Sequence, residues 1–240
     1  MKKAFVSWSG GKDCCQAGYR AIKEGCEIKY LLNMVTQDGQ RSCSHGISSA
    51  WIRLQSEAMG IPVVQKTTTG DNYEAVFTDT LIKLREEGVD TGIFGDIDFG
   101  PHREWIERVC GKAGVTPVLP LWLGNQAEIA ADFIKLGFKA VVVAIRSDLL
   151  GKEWLGREFD TGFLRDLAAL NKNITPCGEA GEFHTLVVDG PLFKKSVQIM
   201  EAGEVQRDNH WFLDIKKMTL VEKVAGDKLE KDDFASGRSA

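Results

Sequence analysis

Long apolar runs are absent from this sequence. No stretch of its 240 residues approaches the ~20 apolar residues that a membrane-spanning helix needs. The opening MKKAFVSWSGG holds too few apolar residues for a signal-peptide core, so a cytoplasmic protein is expected. An excess of positive charge is missing too: 30 Lys plus Arg face 34 Asp plus Glu, a formal net charge of -4. No sequence-wide cationic surface exists for nucleic acid, which is not an expected partner. The six cysteines include no Cys-x-x-Cys pair, so a structural zinc site is not indicated, and they read as free thiols. There is no internal repeat and no low-complexity segment.

What is present is an alternation of short β-rich runs with helical patterns, the order that builds a parallel sheet covered on both faces. Strands are expected at residues 4–8, 28–35, 62–66, 91–95 and 116–120. Between them, Cys14, Ala17, Gly18, Ala21 and Ile22 fall on one helical stripe, with Cys15 outside it. Tyr73, Val76, Phe77, Thr80, Leu81 and Leu84 repeat the spacing, with Asp71 as N-cap and Glu74 completing a capping box. Trp105, Ile106, Val109 and Cys110 mark a further helix.

From about residue 123 the regular order ends. A helix is expected at 127–136, a strand at 140–145 and a helix at 161–170. Strands at 182–188, 194–200 and 210–215 follow, joined at Asp189-Gly190-Pro191 and Glu201-Ala202-Gly203. The predicted division is a first, βα-alternating domain at 1–122, a second domain at 123–222 and a polar, disordered tail at 223–240.

The stretch richest in chemistry is Ser9-Gly10-Gly11-Lys12-Asp13-Cys14, where a buried strand passes through two glycines straight into a helix. Glycines let an anion approach the main chain, and the free N–H groups of the helix start then face it. Ser9 and Lys12 add side-chain donors. The dipole alone supplies up to about 2 kcal/mol, so charge-assisted hydrogen bonds of about 1.5–3 kcal/mol each must do most of the holding. Asp13 among these donors is explained by a Mg²⁺ bridging a carboxylate and phosphate oxygens. The spacing is that of neither a Walker A loop nor a dinucleotide fingerprint. A thiol at a helix start also invites a nucleophile reading for Cys14, against which stands its place on the apolar stripe.

These residues resemble the SGGxDS pyrophosphate loop of the N-type ATP pyrophosphatases, the adenine nucleotide alpha-hydrolase superfamily. Gly95-Asp96-Ile97, Pro120-Leu121-Trp122, Trp154-Leu155-Gly156-Arg157, Cys177-Gly178-Glu179-Ala180-Gly181-Glu182-Phe183-His184-Thr185 and Asp189-Gly190-Pro191-Leu192-Phe193 extend the resemblance to the diphthine-ammonia ligase branch. The resemblance implies an α/β fold: a HUP-type, Rossmann-like parallel sheet of order 3-2-1-4-5 with a smaller mixed α+β C-terminal domain. It also implies a reaction. ATP activates the carboxylate of diphthine on elongation factor 2, ammonia displaces AMP to leave an amide, and pyrophosphate is released. ATP and Mg²⁺ are the implied cofactors, ATP and ammonium the small partners, elongation factor 2 the protein substrate, and a homodimer one candidate assembly. Cys14 replaces the motif's final serine, a weaker donor at one phosphate contact.

In such a fold ligands sit beyond the carboxyl ends of the strands at the switch point. Asn33, Met34 and Val35 then become candidates to frame the adenine. Gly95, Asp96 and Ile97 end the fourth strand, with Asp96 joining Asp13 as a metal-ligand candidate. His45, in the polar loop 36–46, is a candidate contact to phosphate or adenine. Asp98, His102, Arg103 and Glu104 open the following helix as further candidates for metal or substrate. Period-two alternation places Glu182 and His184 on one strand face, with Glu179 just before. These three, with Lys12 and Asp13, are the catalytic candidates, because capturing ammonium and removing its proton suits carboxylates beside a histidine. Arg157 is a candidate anion ligand. An RNA-modifying enzyme on the same loop and a nucleotide-binding protein without turnover are the alternatives.

Overall fold

The computed structural model describes residues 1–170 and 172–223; the tail expected at 223–240 lies, beyond Lys223, outside the described residues. Chain order is β1 (Lys2–Ser7), α1 (Lys12–Lys23), β2 (Cys26–Val35), α2 (Ser49–Met59), β3 (Val63–Thr67), α3 (Tyr73–Glu86), β4 (Thr91–Ile93), α4 (Gly100–Ala113) and β5 (Thr116–Val118). There follow α5 (Gln126–Lys135), β6 (Lys139–Arg146), α6 (Thr161–Ala169), β7 (Phe183–Asp189), β8 (Lys195–Arg207) and β9 (His210–Glu222).

The first five strands form one parallel sheet of order β3-β2-β1-β4-β5, the HUP-type order. The remaining four form an antiparallel sheet, β7-β6-β9-β8. One face of the parallel sheet buries Phe5, Leu32 and Phe94 against Phe77 and Leu81 of α3 and Val109 of α4. The other face is continuous with the second sheet: Val6 and Trp8, α1 and α2 share a core with Phe133, Phe183 and Leu186. This shared core holds the start of α1 against β7.

Being covered on two sides changes α1. Cys15, expected outside the stripe, is fully buried, and so is Gln16, whose Nε2 donates to the Ile129 carbonyl of α5 at 3.1 Å. Ile22, expected inside it, is exposed near the helix end.

Two local expectations fail. Asn72, not Asp71, caps α3, and its side chain makes no cap bond to the helix but accepts from the Thr69 N–H and the Thr68 hydroxyl. Glu74 does not turn back to a capping box, because Arg108 and Lys112 of α4 take its carboxylate. Glu201-Ala202-Gly203 is not a turn but a register shift inside a long ladder. The hairpin closes instead at Asp208-Asn209, with Asp208 in the left-handed region at φ 48.

Candidate functional site

A cavity of about 680 Å³ opens where the carboxyl ends of β1 and β4 and the start of α1 meet residues 177–185. Close approach builds this corner. A Cβ at Gly95 would lie 2.7 Å from Asp13 C and Cys14 N, so only glycine lets the end of β4 abut the start of α1. Ser9, Lys12, Asp13 and Cys14 line the cavity from the turn into α1, and Gly95 and Asp96 from the segment just beyond β4. Met34 and His45 contribute from the β2 side, and Glu179, His184 and Thr185 from the second sheet and the turn before it.

Gly10 and Gly11 lie behind this wall, and their missing side chains make room for the protein itself. Gly10 has φ 88, and a Cβ there would meet Ile52 Cδ1 at 2.6 Å. A Cβ on Gly11 would lie 2.5 Å from His45 Cε1 and 3.2 Å from the Thr185 carbonyl oxygen. The loop is braced by long-range bonds: the Gly10 carbonyl accepts from Val187 N at 2.9 Å and Gln55 Nε2 at 3.0 Å. Two of the N–H groups expected to face an anion are instead donated within the protein. Gly11 N donates to Ser9 Oγ at 3.3 Å and Lys12 N to Thr185 Oγ1 at 3.1 Å.

Several other expected residues stay out of the cavity, Asp98, Arg103 and Glu104 around the start of α4 among them. Asn33 is saturated, donating to the Trp8 carbonyl at 2.8 Å and Ser42 Oγ at 3.0 Å and accepting from Gln65 Nε2. Val35 and Ile97 are core side chains. Glu182 is buried, with Oε1 accepting from Thr175 N at 2.7 Å, so it braces the turn instead of sharing an open face with His184. The alternation fails because β7 begins only at Phe183. Arg157 is no anion ligand either: it pairs with Asp166 at 2.7 Å and stacks over Trp154.

The cavity's charges are close and partly buried. Lys12 Nζ donates to Asp13 Oδ2 at 2.8 Å and to the Cys177 carbonyl. Burial works against the Lys12 ammonium, but Asp13, Cys177 and Glu179 carry its pKa above the ordinary value. Burial raises Asp13, with Lys12 opposing. These directions pull the pair opposite ways, and the 2.8 Å contact decides for the ionised form.

Asp13 Oδ1 is buried with no hydrogen-bond partner, an orphaned acceptor, and Asp96 lines the same cavity closely enough for its charge to raise the Asp13 carboxyl. Such an atom suits a hard divalent cation. Asp13 and Asp96 would hold it, and since no three potential ligands converge among the described residues, phosphate oxygens and water would complete its shell. A bound Mg²⁺ would neutralise phosphate charge.

Glu179 is pushed up to about 7, by burial first and then by Asp13. His184 is pushed down to about 4 by burial and by Lys12, and its ring stacks on His45 at 4.4 Å. Burial, His184 and Lys12 also hold His45 well below the usual imidazole range. Both imidazoles are therefore neutral near pH 7. The usual order of basicity is inverted, and Glu179 is the better proton acceptor. Beside it, His102 Nδ1 meets Asp96 Oδ1 at 3.1 Å, and that bond raises the His102 pKa.

Cys14 Sγ accepts from the Ser9 hydroxyl and donates to the Gly11 carbonyl at 3.2 Å, and burial raises its pKa, so it is no thiolate nucleophile. Tyr73, Phe99 and Trp105 also line the cavity. Tyr73 and Trp105 were legible only as helix-stripe residues, and Thr185 only as a letter of the glycine-rich motif.

Comparison with known families bears on this geometry. A model described as the diphthamide synthase N-terminal domain matches residues 1–117, and one described as the diphthamide synthase C-terminal domain matches residues 125–221. The chain belongs to the diphthamide synthase family. It is thereby an enzyme of the ATP-dependent ligase kind. A mouse diphthine–ammonia ligase is 28% identical over 253 residues, covering 90% of this chain and 92% of that protein. The human protein of that name is 28% identical, with 82% of each covered. A fission yeast relative of the same name is 27% identical over 84% of this chain but only 36% of its own length, so there the diphthamide synthase unit is part of a longer protein. No helix of the described residues is long and apolar enough to cross a membrane.

Proposed function

We propose that this diphthamide synthase-family protein is a cytoplasmic amide ligase that spends ATP on the carboxylate of diphthine in elongation factor 2. The product is an amide, and AMP and pyrophosphate are released. The observation that carries this reading is convergence: Lys12 and Asp13 at the start of α1 and Glu179 from the other half of the chain line one cavity.

Chemically, the start of α1, Ser9 and Lys12 supply donors and positive charge for the pyrophosphate leaving group. Asp13 and Asp96 supply the carboxylates for Mg²⁺. Once the acceptor carboxylate carries AMP, ammonia forms a C–N bond to the acyl carbon, the C–O bond to AMP breaks, and a proton leaves the nitrogen. Glu179, half-ionised near pH 7, is the group placed to accept that proton. His184 and His45, as neutral imidazoles, wall the site.

The test is product analysis. Protein incubated with ATP, Mg²⁺, ammonium and diphthine-bearing elongation factor 2 should form AMP in amounts that track both ammonium and acceptor. AMP formed without the acceptor would indicate a hydrolase, and ADP would break the scheme.

A further inference from the structure

Lys12 opens α1, so its N–H is one of the donors that a helix leaves unpaired at its start. That N–H is donated to Thr185 Oγ1, 173 residues away in sequence. Thr185 sits on β7, is 2% exposed, and lines the cavity. A hydroxyl has one proton to give and two lone pairs to receive. The oxygen receives Lys12 N–H, while the hydroxyl proton has no acceptor among the described residues.

We propose that Thr185 is a ligand of the ATP pyrophosphate group, contributed to the anion site by the second sheet. Its hydroxyl relays the positive start of α1 to a phosphate oxygen. Hydrogen bonds in series polarise one another in a low-dielectric site, so a hydroxyl receiving from a helix N-terminus is a stronger donor than a free one. The relay is held in register from both sides. Val187 N bonds the Gly10 carbonyl two residues beyond Thr185, and the Lys12 ammonium bonds the Cys177 carbonyl on the turn before β7. Neither half of the chain then completes the anion site alone.

This inference rests on the ligase reading in taking the anion to be ATP pyrophosphate. Its test is calorimetric titration of the full chain with ATP–Mg²⁺, inorganic pyrophosphate and AMP, in wild type, Thr185→Val and Thr185→Ser. Thr185→Val should weaken ATP and pyrophosphate by about tenfold or more, as loss of a hydrogen bond to a charged group implies. AMP binding should stay unchanged, and Thr185→Ser should restore the others. If the valine variant does not fold, Thr185→Cys, with its weaker donor, should give an intermediate loss.

Wild-type affinity for ATP and pyrophosphate in Thr185→Val, or in Thr185→Cys where that stands in, overturns the inference. So does equal weakening of all three ligands without rescue by serine, which marks a structural role. Unchanged ATP binding with a raised KM for the protein acceptor overturns it too, by moving the contact to the acceptor. A wild-type protein that binds neither ATP nor pyrophosphate would instead sink the ligase reading, and this inference with it.

Discussion

Replacing Glu179 with glutamine should make the protein more stable and inactive at once, with a gain in stability that grows with pH. The Glu179 carboxyl titrates at about 7 instead of 4.5, because burial and then Asp13 oppose its charge. At about 1.36 kcal/mol per pKa unit this corresponds to about 3 kcal/mol of destabilisation in the ionised form. Partial exposure to solvent reduces the figure, so about 1.5–3 kcal/mol is expected. The folded state holds the proton more tightly than the unfolded state. Stability is therefore unaffected below pH 4.5, falls as pH rises towards 7, and bears the full cost above it. Glutamine never ionises. Denaturation of both proteins in EDTA without nucleotide, at several values between about pH 5 and 8, should give nearly matching curves at the acid end. At the alkaline end the variant should melt roughly 3–10 °C higher, while amide formation is lost. Differences that stay constant across the range would refute the buried-charge reasoning, and a variant that still forms amide would refute the proton-acceptor role.

Three further outcomes are expected. Lys12→Met should cut kcat by about 10²–10³-fold, the scale seen when one transition-state donor is removed, with AMP formation as the readout. Gly11→Ala should displace His45, whose Cε1 would lie 2.5 Å from the new Cβ, and so should lower both stability and ATP affinity in thermal melts with and without nucleotide. At pH 8 iodoacetamide should label exposed Cys43 and spare buried Cys14, read by peptide mass spectrometry; rapid labelling of Cys14 would revive the nucleophile reading.

The parallel sheet was legible because its short β-rich runs alternate with helical stripes, although β3 (Val-Val-Gln-Lys-Thr) and β5 (Thr-Pro-Val) are weak runs by themselves. Helix α2 was not, since its buried side carries Ser49, Gln55 and Ser56 as well as Ile52 and Met59. Gln55 is polar for a reason no local pattern shows: its amide accepts from Trp8 Nε1 and donates to the carbonyls of Gly10 and Val187, tying α2 to two distant segments. The loop residues Ser9, Lys12, Asp13 and Cys14 could be read as one group because they are contiguous, and Gly95 and Asp96 because they follow a strand. Asn33 and Val35 were placed beside the ligand by strand position alone, and Ile97 and Glu182 by position and motif; neither signal reveals burial, nor that Asn33 is saturated by Trp8, Ser42 and Gln65. Thr185 escaped notice for the converse reason, because its significance lies in Lys12, at the other end of the sequence.

The most direct test of the account is a crystal structure with a non-hydrolysable ATP analogue and Mg²⁺. The β and γ phosphates should lie between the Ser9–Asp13 turn and Thr185, with the metal joining them to Asp13. Phosphates pointing out of the cavity towards His102, or a nucleotide bound elsewhere on the protein, would contradict it.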